Sequence, residues 1–111
     1  MKSKAAVLYK AGQPFEVCEV DVQPPKAGEV LVEIVAAGVC HTDYSVKTGQ
    51  LAAPLPAILG HEGAGVVREV GEGVTTVQPG DHVIALWRLA CGDCEYCDAS
   101  RPALCAAGTE I

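Results

Sequence analysis

The chain has 111 residues, half of them apolar, with 8 Lys plus Arg against 14 Asp plus Glu and a formal net charge of −6. That balance describes one soluble domain, burying roughly 65% of its extended-chain surface, and no stretch has the Lys/Arg density to neutralise several phosphates, which excludes nucleic acid as a partner. The longest apolar runs, such as residues 34–40, fall far short of the ~20 residues that a bilayer span requires, which excludes a transmembrane helix.

Met1-Lys2-Ser3-Lys4 looks like the charged start of a signal peptide, but the apolar run 5–9 ends at Lys10 with no cleavage pattern, so a cytoplasmic protein is expected. Period-2 alternation predicts strands over 5–9, 15–22 and 30–36, the last with Val30, Val32, Ile34 and Ala36 on one face. Turn clusters at 11–14 and 23–28 separate them. Residues 41–48 lack Gly and Pro and predict a short helix just after Cys40, capped by Thr42 or Asp43. With Pro54 and Pro56, residues 51–56 read as an irregular surface loop leading into Leu59-Gly60-His61. Further strands are predicted over 64–70 and 82–86, the second introduced by Gln78-Pro79-Gly80-Asp81. This spacing is that of an all-β barrel or sandwich and not of repeated strand-helix units.

Of the six cysteines, four crowd into 91–105 while Cys18 and Cys40 stand far apart. Disulfide scaffolds usually spread their bridges, so a reduced metal-binding cluster fits better; two disulfides, or free cysteines in a loop, are the alternative. Cys91-Gly92-Asp93-Cys94-Glu95-Tyr96-Cys97 followed after seven residues by Cys105 can place four thiolates around a tetrahedral Zn²⁺ at about 2.3 Å each. Gly92 relieves crowding between the first two ligands, and Pro102 bends the return segment toward Cys105. Four protein ligands leave no open position, so this zinc is structural and cannot activate water.

A second constellation is Cys40 with Gly60-His61-Glu62. A cysteine at a strand end and a histidine at a loop–strand junction can meet across twenty residues of sequence and form an N/S zinc site. Glu62 would ligate or tune the metal, and Asp43 would accept the other ring N–H of His61. A buried cysteine and a hydrogen-bonded histidine with purely structural roles are the alternative. Among the remaining residues, Cys18 reads as a small buried hydrophobe, His82 as a plain strand residue, and Arg68-Glu69 as part of a solvated face.

From Gly60 the chain reads Gly60-His61-Glu62-Gly63-Ala64-Gly65-Val66-Val67-Arg68-Glu69-Val70-Gly71-Glu72-Gly73-Val74. This resembles the signature of the zinc-containing medium-chain alcohol dehydrogenases, matching it at every defined position. Cys40-His41-Thr42-Asp43, the Gly80-Asp81-His82-Val83 turn and the four-cysteine lobe follow in that family's order and spacing. The resemblance implies a mainly β fold, a GroES-like β-barrel with short helices and a four-cysteine zinc lobe. It implies a catalytic zinc on Cys40 and His61, with Glu62 as an exchangeable carboxylate, and a structural zinc on Cys91, Cys94, Cys97 and Cys105. Thr42 would take the alcohol proton, Asp43 would orient His61, and His41 would face the coenzyme pyrophosphate. Trp87 falls where an aromatic residue lines the substrate pocket, although a core role is an equal alternative; its bulk would favour small primary alcohols. The implied activity is NAD- or NADP-dependent oxidation of an alcohol to an aldehyde by zinc-assisted alkoxide formation and hydride transfer.

Neither Gly63-Ala64-Gly65 nor Gly71-Glu72-Gly73 completes a dinucleotide-binding Gly-x-Gly-x-x-Gly turn. The family's Rossmann domain, and the cysteine it supplies after the lobe as third strong catalytic-zinc ligand, are missing from these 111 residues. Residues 1–111 are therefore expected to be an amino-terminal catalytic domain, incomplete at its carboxyl end, with its zinc lobe at 91–105. Alone it would be inactive, with exposed apolar edges, and self-association as a homo-oligomer is left open. Ser45 stands where some family members end their proton relay with histidine. A non-catalytic zinc-binding β module is the alternative function; within the enzyme class, polyol and thiol-adduct formaldehyde dehydrogenases share the architecture.

Overall fold

In the computed structural model, which describes residues 1–108, the first alternating stretch forms β1 (Lys2–Leu8). It pairs antiparallel with β2 (Glu16–Asp21), Lys2 opposite Asp21 and Val7 opposite Glu16. That register sets Lys2 Nζ 2.9 Å from Asp21 Oδ1, an exposed pair that adds little stability. The other edge of β1 pairs with β4 (Ala57–Ile58), a two-residue strand just past the predicted loop and too short to show alternation.

The second sheet is built on β5 (Gly63–Val70), flanked by β3 (Val30–Ala37) and β6 (His82–Ile84), all antiparallel. Two irregularities interrupt the β3–β5 ladder, where Arg68 and Val35 have no opposite number. A bulge of this kind re-aims the residues beyond it. The four-residue face expected on β3 is therefore broken. Val30, Val32 and Ile34 line one hollow with Val67 and Leu89, whereas Ala36 lines another with Val35, Ala64 and Val66. The bulged Arg68 extends across to Glu33, its Nε donating to Oε2 at 2.6 Å in solvent, as expected of a solvated face. β6 stops at Ile84, two residues before its predicted end, and the Ala85 N–H to Gly63 carbonyl at 2.8 Å is followed by irregular chain.

The helix α1 (His41–Thr48) has the bounds predicted for it, ending on Gly49 with a left-handed backbone, φ 82°. Its cap differs from expectation. The capping position is Cys40, in an extended conformation, and no side chain caps the helix. Thr42 and Asp43 lie inside the first turn, past the capping position: the Asp43 N–H donates to the Cys40 carbonyl at 3.1 Å, and its carboxylate supports the helix through its charge near the positive end. The first described turns of the cysteine lobe are a short helix α2 (Glu95–Asp98) and a 3-10 turn over Pro102–Leu104.

Few side chains among the described residues are buried: Val7, Leu8, Val46, Val67 and Cys105. The radius of gyration, 15.6 Å, exceeds the roughly 13 Å of a compact chain of this length. Among the described residues no helix is long and apolar enough to cross a membrane. The last three residues of the expected domain, 109–111, lie outside the described residues.

Candidate metal centres

The antiparallel pairing of β3 with β5 explains how residues twenty apart in sequence come together. Ala37 lies opposite Gly63, and the Gly38 N–H donates to the Glu62 carbonyl at 3.0 Å. Cys40 follows directly on one strand's end while His61 and Glu62 precede the other's start. The Cys40 sulfur, a His61 ring nitrogen and a Glu62 carboxylate oxygen all lie within 4.8 Å of one another, with Cys40 and His61 half-buried and Glu62 exposed. Gly38 makes the room: a Cβ there would overlap Glu62 Oε2 and stand 3.1 Å from the Glu62 Cβ. A thiol, an imidazole and a carboxylate are the mixed donor set of a zinc site with a position left open.

Beside this cluster, Cys40 Sγ and Thr42 Oγ1 are 3.3 Å apart, the thiol donating to the hydroxyl oxygen. One turn along α1, Ser45 Oγ lies 3.2 Å from His41 Nδ1, and Tyr44 meets the His41 ring edge-on at 5.5 Å. Asp43 sits in the same first turn.

In the lobe, the four sulfurs of Cys91, Cys94, Cys97 and Cys105 also lie within 4.8 Å of one another. Cys91 and Cys97 are 4.0 Å apart, close to the edge of about 3.8 Å that a tetrahedron of 2.3 Å zinc–sulfur bonds requires, and twice a disulfide bond length. All six cysteines are free thiols. Main-chain N–H groups aim at the sulfurs: Asp93 at Cys91 (3.3 Å), Cys91 at Cys105 (3.3 Å) and Cys97 at Cys94 (3.5 Å). The turn between the first two thiols needs Gly92, whose φ is 74°.

These bonds divide the thiols. The Cys97 N–H, followed by that of Ala106, holds Cys94 down to about 6. At Cys91 the Asp93 N–H pulls downward, but the thiols of Cys105, Cys94 and Cys97 together with desolvation outweigh it and push the group up to about 12. Cys97 is likewise raised: the Gly92 N–H favours its thiolate, but desolvation and the neighbouring Cys94 and Cys105 thiols prevail. Cys105 is lowered by the Cys91 N–H. A cluster in which some sulfurs keep protons that a divalent cation would displace is a donor set suited to zinc. The residues present fit the metal in both places.

The structure also places the other sequence-predicted residues. Trp87 is 73% exposed, not core, and lines a cleft of about 350 Å³ with Leu86, Arg88, Leu89, Ala90, Pro102 and Ala103, a lining that includes none of Cys40, Thr42, His61 and Glu62. Cys18 is half-buried where full burial was expected, because it lies near the open side of β2 with its sulfur 3.8 Å from the Tyr9 hydroxyl. That hydrogen bond is the first cause of a raised Tyr9 pKa. His82 opens β6 as an exposed strand residue opposite Val66. Sequence reasoning missed Gly38 and Arg88, whose Nη2 donates to the Cys105 carbonyl at 3.0 Å.

Residues 26–110 match the alcohol dehydrogenase GroES-like domain. S-(hydroxymethyl)glutathione dehydrogenase of Escherichia coli O1:K1 / APEC is 53% identical over 111 residues, an alignment that takes in 99% of this chain and 30% of that protein. The fold is similar to that of an alcohol dehydrogenase zinc-binding domain protein from Burkholderia ambifaria, with TM-score 0.87 and 41% identity over 100% of this chain and 30% of that one. A cobalt- and zinc-bound thermostable alcohol dehydrogenase from Pyrobaculum aerophilum gives TM-score 0.86 and 38% identity over 97% of this chain and 33% of that one. The chain thus spans about 30% of the length of the curated relatives it matches. By the match over residues 26–110, it belongs to the alcohol dehydrogenase GroES-like domain family.

Proposed function

We propose that residues 1–111 form the zinc-binding catalytic domain of an NAD(P)-dependent alcohol dehydrogenase that oxidises a small primary alcohol to its aldehyde. The observation that carries this reading is the meeting of Cys40, His61 and Glu62 within 4.8 Å, with the Thr42 hydroxyl 3.3 Å from the Cys40 sulfur. When bound, zinc supplies a Lewis acid that lowers the pKa of an alcohol hydroxyl, and the nicotinamide coenzyme supplies the hydride acceptor.

The remaining work falls to side chains of this chain. Cys40 and His61 hold the metal, and Glu62 offers a carboxylate that can exchange with water or alcohol. Thr42 Oγ1 accepts the alcohol proton and passes its own outward; being neutral, it does so without competing for the metal. Asp43 orients His61. His41 has Nδ1 engaged by Ser45 Oγ, which leaves Nε2 to meet the coenzyme diphosphate. Trp87 narrows the substrate pocket. The lobe cysteines Cys91, Cys94, Cys97 and Cys105 hold a structural zinc. The name of the Escherichia coli relative specifies a hydroxymethyl group borne on sulfur, so its substrate presents a CH2–OH carbon to the reaction.

Steady-state kinetics of the dehydrogenase carrying this domain test the reading. Thr42→Ala lowers kcat about 100-fold or more while metal content stays at the parent level. Trp87→Ala raises kcat/KM for a branched secondary alcohol relative to ethanol about tenfold, the scale set by filling or emptying an apolar pocket. Unchanged turnover in Thr42→Ala contradicts the assignment. A non-catalytic zinc-binding β module is favoured only by the lobe, whose four thiols close their own coordination.

A further inference from the structure

The segment between β6 and the first lobe cysteine carries a residue that the proposed reaction does not use. Arg88 donates from Nη2 to the Cys105 carbonyl at 3.0 Å, and its Nε is buried with no hydrogen-bond partner among the described residues. The chain beyond Cys105 closes over it. A Cβ at Gly108 would fall 3.1 Å from Arg88 Nε and 2.6 Å from the Leu89 carbonyl, so only glycine lets the backbone pack this closely.

Arg88 as a whole is half-buried, but an Nε N–H shut away from water with no partner is costly unless its surroundings compensate it. The ion pairs among the described residues use Lys2 and Arg68, not Arg88. What Arg88 does hold is the carbonyl of Cys105, a member of the cysteine cluster. Four thiolates around one divalent zinc leave a net charge of about −2. Cys105, whose carbonyl Arg88 holds, is the ligand farthest from the others in sequence, and its sulfur accepts the Cys91 N–H at 3.3 Å. Its approach closes the longest loop of the cluster, so an external clamp matters most there.

We propose that Arg88 is a positioning residue of the lobe: it fixes the Cys105 backbone, offsets the charge of the loaded cluster and so slows zinc loss. The proposal rests on the reading of the lobe as a zinc site. It acts through a ligand's main chain.

The test uses the 111-residue chain, loaded first with Co²⁺, whose thiolate charge-transfer absorption reports the four-sulfur site, and then with zinc, whose release to a colorimetric chelator is timed. Arg88→Gln is expected to release lobe zinc about 10- to 100-fold faster than the parent, the range for losing a partner of a metal ligand. Arg88→Lys keeps the charge but loses the planar fork, and is expected to fall between the two. Arg101→Gln, which alters an exposed arginine of the same lobe, is expected to match the parent. Release from Arg88→Gln within twofold of the parent, or equal acceleration in Arg101→Gln, overturns the proposal. Should Arg88→Gln fail to fold, Arg88→Lys decides: release at least threefold faster than the parent supports the clamp, and parity overturns it. A parent chain without cobalt–thiolate absorption refutes the zinc reading of the lobe itself, an outcome visible before any variant is made.

Discussion

Two glycines show how differently the same added methyl is felt. At Gly38 the obstructed atoms belong to the Glu62 side chain, which can swing away, so Gly38→Ala is expected to leave the fold intact and weaken metal binding at Cys40 and His61. Cobalt competition at that site, with lobe loading as the internal control, checks it. At Gly65 the added Cβ would overlap the Glu33 carbonyl oxygen and lie 2.8 Å from Val32 Cγ1. Backbone on the neighbouring strand cannot give, so Gly65→Ala is expected to cost about 1–3 kcal/mol or more, read as a lowered Tm. The lobe thiols make a further prediction. In the metal-free chain at pH 7, Cys91, raised to about 12, and the raised Cys97 hold their protons, whereas Cys94, lowered to about 6, is ionised. Zinc uptake at pH 7 therefore releases about two protons or more, and affinity falls as pH falls; weakly buffered titration with a pH indicator measures this, and uptake without acidification contradicts it. The candidate ligands were flagged in the sequence, the lobe by its restrictive cysteine spacing and Cys40, His61 and Glu62 by the resemblance to the family signature, and the structure brings each set within 4.8 Å. Gly38 and Arg88 were not, since a close backbone approach and a buried nitrogen exist only once the chain is folded.

Legibility followed length and regularity among the elements. The α1 helix could be read to its ends because eight residues without Gly or Pro run up to Gly49, and β5 because a run of small and β-branched residues follows the loop at Gly60. β4 could not, having only two residues beside a proline-rich stretch. The bulges at Val35 and Arg68 were equally hidden, since only the pairing of the two strands reveals the extra residue. The helix cap was misread because Cys40, not a residue with a capping oxygen, occupies the position, and its thiol turns instead toward Thr42. The lobe elements are short, four residues in α2 and three in the 3-10 turn, and Cys105 is the lobe's buried residue. Elements so small do not stand by propensity alone. Chelation of zinc is thus expected to abolish amide-exchange protection across 91–105 while β1, β3 and β5 keep theirs; retained protection in the stripped lobe would show that packing suffices without metal.

The molecule as a whole leaves much apolar surface in solvent. Val35 is 71% exposed, Ile84 77% and Leu86 79%, and the hollow lined by Val30, Val32, Ile34 and Val67 is open. Exposure on this scale, in a chain that spans about 30% of its curated relatives' length, predicts concentration-dependent association of the isolated 111 residues. Sedimentation velocity across a hundredfold range of concentration checks this, and a single monomeric species throughout contradicts it. Two candidate metal centres, the four thiols of the lobe and the cluster of Cys40, His61 and Glu62 beside Thr42, carry the proposed function. Elemental analysis of zinc per chain after mild dialysis, on the parent and on Cys40→Ser, tests it most directly. The account predicts close to two zinc ions per chain in the parent and one in the variant; close to one in both would contradict the site formed by Cys40, His61 and Glu62.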